Sequence, residues 1–296
     1  MSTKVISLGR ATAIIAACMA VSVKAQTGQF RITNVSRSNS TTRIQWESEA
    51  NWNYTVQWSA SPASGSWSNL DGFVGLPGTM GTLSATDAVH SASQMFYRVQ
   101  RGSPYRRTIV IDGLNDFTAG ETFTTSSPGY TAYITWDSDY LYLGMQGADI
   151  ASDDSHKWLL AYVSGTPGTT SGVLYNTQQP QLPFPAKYHL RWRADNAYFS
   201  AMTFDGTNWS DLGSGVAGNV SRAGGFMEWR VPLATIGNPT QFDAHICMIN
   251  ETSLGETSYA AVPFSSFVPG YDPDYTKYFS FNLAGSSVPN SASPLP

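Results

Sequence analysis

Thr131-Ala132-Tyr133-Ile134-Thr135-Trp136-Asp137-Ser138-Asp139-Tyr140-Leu141-Tyr142-Leu143-Gly144 is the stretch that decides the fold. A run rich in β-branched and aromatic residues meets a short polar turn, and a second such run returns at once, which is the pattern of a β-hairpin. Alternate side chains of an extended chain face opposite ways, so Ile134 and Trp136 share one face and Tyr133 and Thr135 the other. Downstream, Trp158-Leu159-Leu160-Ala161-Tyr162-Val163 reads as a central strand, and further strands are expected at 188–194, 198–204, 226–231 and 244–250. Upstream, Thr108-Ile109-Val110-Ile111-Asp112-Gly113 ends in a turn dipeptide. No stretch shows sustained helical periodicity with caps, and no repeat of fixed period occurs.

The N-terminal part carries shorter alternating runs: Phe30-Arg31-Ile32-Thr33, Arg43-Ile44-Gln45-Trp46, Tyr54-Thr55-Val56-Gln57-Trp58 and Met95-Phe96-Tyr97-Arg98-Val99. Ile44 and Trp46 fall on one face, as do Tyr54, Val56 and Trp58 on the next strand. Ser61-Pro62-Ala63-Ser64-Gly65 and Leu76-Pro77-Gly78 mark loops, and the whole predicts a small sandwich of about seven strands or fewer. Gly102-Ser103-Pro104 ends this region. The expected division is a leader at 1–25, a small module at 26–102, a linker at 103–107, a larger sandwich at 108–283 and a disordered Ser/Pro/Gly tail at 284–296.

Composition agrees with an all-β chain. Among 296 residues, 9 Trp, 15 Tyr and 14 Phe are set among 26 Gly and 16 Pro, which suits many aromatic strands joined by tight turns. Charged residues are 13%, half of the usual fraction of about 25%, and the net charge is −4. That balance offers no general attraction for nucleic-acid phosphates or anionic lipid.

Lys4 and Arg10, then a small and apolar run at 11–23, then Val23-Lys24-Ala25 form an export leader, with cleavage expected after Ala25. The run is too short for a membrane-spanning helix. Ile15-Ala16-Ala17-Cys18 also resembles a lipoprotein box, and acylation of Cys18 is the alternative. Cys247 is then the single cysteine of the mature chain, so no internal disulfide forms, and its apolar setting marks it as a small buried side chain.

Two resemblances follow from these residues. Ile44-Gln45-Trp46, Tyr54-Thr55-Val56-Gln57-Trp58-Ser59, Trp67 and Phe96-Tyr97-Arg98-Val99 resemble short immunoglobulin-like or fibronectin-type modules of secreted bacterial proteins. Asp112-Gly113 with Asp116-Phe117, the 134–144 hairpin, and Glu228-Trp229-Arg230-Val231-Pro232-Leu233 with Ile236-Gly237 resemble family-9 carbohydrate-binding modules and DOMON-like relatives. The second resemblance implies a jelly-roll-like sandwich that binds a polysaccharide or oligosaccharide, often with structural calcium, and has no catalytic machinery. The aromatic pair that clamps a sugar ring in such modules has no local motif here, and related DOMON domains bind haem through Met or His.

Asp149, Asp153 and Asp154 on one polar loop are candidate calcium ligands, since calcium takes six to eight oxygens, or else form a solvated acidic loop. Trp209, alone among small polar residues in Asp205-Gly206-Thr207-Asn208-Trp209-Ser210-Asp211, is a candidate stacking platform for a sugar. On the 188–194 strand, Tyr188, Leu190 and Trp192 are expected in the core and His189, Arg191 and Arg193 on a water-facing side, where Arg191 is a candidate polar contact. Residues 178–186, an extended proline-rich loop, supply Gln179 as a second polar contact. Trp136 and Trp229 are expected in the core, with Glu228 and Arg230 facing away.

Catalytic motifs are missing: the sequence has no HExxH, GxSxG, P-loop or zinc-type Cys/His spacing, and the four histidines are scattered. A glycosidase carboxylate pair needs spatial rather than sequential closeness, so a hydrolase stays as a third reading. The expectation is therefore an exported non-catalytic sugar binder, with a structural or adhesive envelope protein as the alternative. Its first test is the mature terminus: intact mass and N-terminal sequencing of the natively exported protein should place it at Gln26, whereas an acylated Cys18 would replace cleavage by lipid anchoring.

Overall fold

A computed structural model describes residues 3–8, 30–49, 52–63, 66–90, 94–175, 178–252, 255–264, 267–268 and 274–296. The chain is all-β, as expected, with only a four-residue α-helix at Ser214–Ala217 and short 3-10 turns among the described residues. Its contacts gather into two units, Met1–Pro104 with Ala284–Ser287, and Tyr105–Leu283 with Val288–Pro296.

In the first unit, the antiparallel strands Ile32–Ser38, Thr41–Glu47 and Thr82–Asp87 form one sheet. Asn53–Ser59 and Met95–Gly102 form another, with the short strands Ser68–Asn69 and Leu76–Pro77 at one edge. Alternation places Ile44, Trp46, Tyr54, Val56, Tyr97 and Val99 in one shared core. Trp58 stays at its margin, where the His90 ring stacks on it at 3.6 Å. Of the expected leader 1–25, the backbone of Thr3–Leu8 runs antiparallel to Met95–Gly102. The rest of it, with Cys18 and Ala25, lies outside the described residues.

The second unit has two antiparallel sheets. One runs Asn219–Ala223, Phe226–Pro232, Tyr140–Gln146, Thr131–Trp136, Thr122–Thr124. The predicted hairpin is in place, with Trp136 opposite Leu141 and the Asp137 carboxylate accepting the N–H groups of Asp139 and Tyr140 at 2.8 Å each. The other sheet runs Trp209–Gly213, Phe199–Phe204, Gln181–Arg193, Lys157–Ser171, Gln241–Thr252, Gly255–Val262. Trp136, Leu143 and Trp229 from the first sheet share a core with Leu159, Leu190, Trp192 and Met248 from the second. Period-2 alternation built that core, and it puts three tryptophans in it with no disulfide anywhere near.

Three expectations are corrected. Residues 178–186 are no loop throughout, because Gln181–Arg193 is one thirteen-residue strand. Leu182, Phe184 and Ala186 alternate inward, and Pro183 and Pro185, which lack N–H donors, fall where pairing to Lys157–Ser171 is bulged. The 284–296 stretch is ordered where a disordered tail was expected. Leu295 and Tyr278 exchange backbone hydrogen bonds at 2.8 and 3.0 Å, and Asn290 Nδ2 donates to the Ala119 carbonyl at 2.6 Å. Apolar content says nothing about such polar fastenings. Finally, the side of the 188–194 strand expected to face water carries a fully buried His189. Leu160, Tyr162, Cys247 and Ile249 form a second small core there with Val173, Tyr175, Leu182, Phe184 and Tyr275.

Glu228 explains why the separated pieces 112–113 and 228–233 belong together. Fully buried, its Oε1 accepts the backbone N–H groups of Asp112 and Gly113 at 2.6 Å each. Gly113 has φ +91°, and a Cβ there would meet Ala223 Cβ at 2.9 Å, so the turn demands glycine. Burial pushes the Glu228 carboxyl up despite these two donors. Glu228→Ala orphans both N–H groups and should cost about 2–4 kcal/mol in urea unfolding, whereas Glu228→Gln keeps an acceptor and should cost about 1 kcal/mol or less.

Candidate functional site

The second sheet of the larger unit holds the candidate site on the face turned away from the main core. Cross-strand register sets His245, Tyr162, His189 and Met202 in a row on four neighbouring strands. The His189 ring stacks on Tyr162 at 4.3 Å, and its Nε2 meets the Tyr175 hydroxyl. His245 stacks on Tyr275 at 4.1 Å, with Nδ1 3.1 Å from the Lys277 carbonyl. Burial holds both imidazoles below the ordinary histidine value, His189 well below it and His245 at about 4.

Trp209 closes the end of this row. Its ring centre lies 6.2 Å from those of Tyr162 and His189 and 5.6 Å from Phe204, and Nε1 donates to the Ser171 carbonyl at 3.1 Å. The ring is thus half-buried and fixed at its polar edge. Beside it lies a groove of about 530 Å³ lined by Trp209, Phe204, Met202, Asn208, Thr207 and Gln179 among others. Gln179 is exposed and donates through Nε2 to the Gly172 carbonyl at 2.8 Å.

Two of the three predicted sugar contacts, Trp209 and Gln179, therefore meet in one groove. Arg191 does not join them. It lies on the same sheet face opposite Leu160 and Ser200, and its guanidinium donates to Ser200 Oγ at 2.8 Å, Tyr198 Oη at 2.9 Å and Asp211 Oδ2 at 2.6 Å. Met202, Phe204, Thr207 and Asn208 escaped the sequence reading. The last two adjoin Trp209 in its turn, which is the signal that could have found them.

The three acids proposed for calcium each have a basic side chain beside them. Lys157 Nζ lies 2.5 Å from Asp149 Oδ1, Arg222 Nη2 2.6 Å from Asp153, and the His156 ring 3.0 Å from Asp154. Burial works to raise the Asp149 carboxyl, yet hydrogen bonds from Lys157, Tyr130 and Tyr259 outweigh it and hold it low. No group of three or more His, Cys, Asp or Glu able to hold a metal forms among the described residues. As arranged, Asp149 and Asp153 pin their loop through ion pairs with Lys157 and Arg222.

No protein-family model and no curated protein sequence matches the chain.

The buried histidines make stability pH-dependent. In the unfolded chain they bind protons near pH 6.5, while in the fold burial keeps His245 neutral to about pH 4 and holds His189 well below its ordinary value. Their contribution is complete above pH 6.5 and is lost as pH falls toward 4, because the unfolded state takes up protons first. His245 alone accounts for about 3 kcal/mol over that window. Glu228, shifted up, acts in the opposite sense, so the readout is a difference. Urea unfolding at pH 7 and pH 4.5 should show a clearly smaller acid loss in His245→Gln than in the unaltered chain.

Proposed function

We propose that the chain is an exported, non-catalytic carbohydrate-binding protein, whose larger unit holds a sugar in the Trp209 groove and whose smaller unit spaces or presents it. The observation that carries this reading is the meeting of an anchored indole with the Gln179 amide from a different segment, beside Asn208 of its own turn, in a cavity of ligand size. A pyranose offers a weakly apolar C–H face and a belt of hydroxyls. One aromatic plane supplies contact area for the first, and Gln179 and Asn208, which both donate and accept, suit the second. The ring's N–H is already satisfied by Ser171, so its orientation is set before any ligand arrives.

No helix among the described residues is long and apolar enough to cross a membrane. The leader reading adds export, which brings such a protein to polysaccharide outside the cell.

Calorimetric titration and affinity electrophoresis against glucans, xylans, mannans, pectins and chitin test the proposal. At least one should bind, and Trp209→Ala should weaken it by about 1–3 kcal/mol, roughly five- to 150-fold in Kd. Binding that survives Trp209→Ala discards the groove, and silence across the panel favours a structural or adhesive envelope protein.

A further inference from the structure

A second cavity of the larger unit, about 660 Å³, has Arg230 in its wall together with Ile109, Phe199, Asn219, Val220 and Ser221. Arg230 sits on the strand Phe226–Pro232, its guanidinium carbon 4.7 Å from the centre of the Tyr140 ring. With the Asn219 amide turned to satisfy both its ends, the Asn219 oxygen accepts from Arg230 Nη2 at 2.8 Å while its nitrogen donates to the Gly218 carbonyl. These two neighbours orient the guanidinium but leave its charge unanswered.

The other arginines of the unit are treated differently. Arg107, Arg191, Arg193 and Arg222 hold Glu121, Asp211, Asp195 and Asp153. Arg106 donates to the carbonyls of Tyr105 and Leu283. Arg230 alone in the unit holds no carboxylate or backbone carbonyl among the described residues, and it is half-buried against an aromatic ring beside apolar walls. A partly desolvated cation in such a place gains most from an anionic partner, and the planar guanidinium fork matches a planar carboxylate.

We infer that this cavity binds a carboxylate-bearing sugar unit, a uronic acid, as a second subsite separate from the Trp209 groove. The inference rests on the carbohydrate reading above. The carboxylate meets Arg230, while Ile109, Phe199 and Val220 take the C–H face of the ring and Asn219 and Ser221 its hydroxyls. Two features thus coincide: a lone fixed cation, and a cavity whose remaining wall suits a pyranose and includes no acid among the described residues.

Calorimetric titration of the full chain with trigalacturonate, with neutral xylotriose and with acetate tests it. Trigalacturonate should bind more tightly than acetate and lose affinity as NaCl is raised. Arg230→Gln should weaken it about tenfold or more without changing any neutral-sugar binding, and Trp209→Ala should leave it in place. Asn219→Asp is the second variant: it puts an internal carboxylate beside the guanidinium on an exposed edge strand and should block uronate binding in a chain that melts normally. Uronate binding unchanged in both variants, or lost only in Trp209→Ala, overturns the subsite, as does acetate binding as tightly as trigalacturonate. Neutral sugars binding with no response to uronate overturns this inference alone. Failure of every sugar, acidic or neutral, brings down the carbohydrate reading with it.

Discussion

A sheet that is apolar on both faces must be covered twice, and the larger unit is arranged around that requirement. Lys157–Ser171 presents Leu159, Ala161 and Val163 to one side and Leu160 and Tyr162 to the other. The first side is covered by a whole sheet carrying Trp136 and Trp229. The second has only irregular pieces, with Val173, Tyr175 and Tyr275 laid over it. Such a partial cover ends somewhere, and where it ends Trp209 stands at the edge of the small core with the groove beside it. The groove is thus the unfinished margin of a second core, which is why Met202, Phe204 and Trp209 share its lining with Thr169, Thr207, Asn208 and Gln179.

With Cys247 a free buried cysteine, buried carboxylates do part of the fastening. Glu121, fully buried, accepts from Tyr105 Oη at 2.5 Å, Thr135 Oγ1 at 2.8 Å and the Thr118 N–H at 2.6 Å, with Arg107 3.3 Å away. Glu228 gathers the 112–113 turn in the same way. Both hold the entering segment 105–121 against the outer side of the first sheet, so Tyr133 and Thr135 are buried although they alternate away from the main core. Hydrogen bonds to a charged acceptor are stronger than neutral ones, and removing a partner strands a buried group, so these acids act as single points of attachment.

This arrangement marks what sequence could and could not tell. Period-2 alternation correctly put Trp136, Trp192 and Trp229 in the core and drew the 131–144 hairpin, because side-chain direction in a strand is a local property. Alternation assigns sides, however, and says nothing of what lies on each. His189 and Arg191 read as water-facing because their cover, Tyr175 and Tyr198, comes from elsewhere in the chain. Arg191 looked available since its partner Asp211 is twenty residues on, across two strands. The acids of the 149–154 loop looked like a ligand set for the same reason, as Arg222 lies 69 residues from Asp153. Trp209 was legible from its turn-rich setting, but its neighbour Gln179 could be placed beside it only by the path of the long strands.

The same commitment of charges bears on binding against hydrolysis. Glycoside hydrolysis by the usual route needs two carboxyl groups facing one bond, one of them with a raised pKa. Among the described residues, neither the Trp209 groove nor the Arg230 cavity has an Asp or Glu in its wall. Asp211 and Asp195 are tied to Arg191 and Arg193, and Asp137 accepts four hydrogen bonds that hold it low against the burial that would raise it. Glu228 is the carboxyl pushed upward, and it is buried beneath the Gly113 turn, outside both cavities. Rings, amides, hydroxyls and one guanidinium are what the two cavities offer among the described residues, groups that suit contact with a polyol.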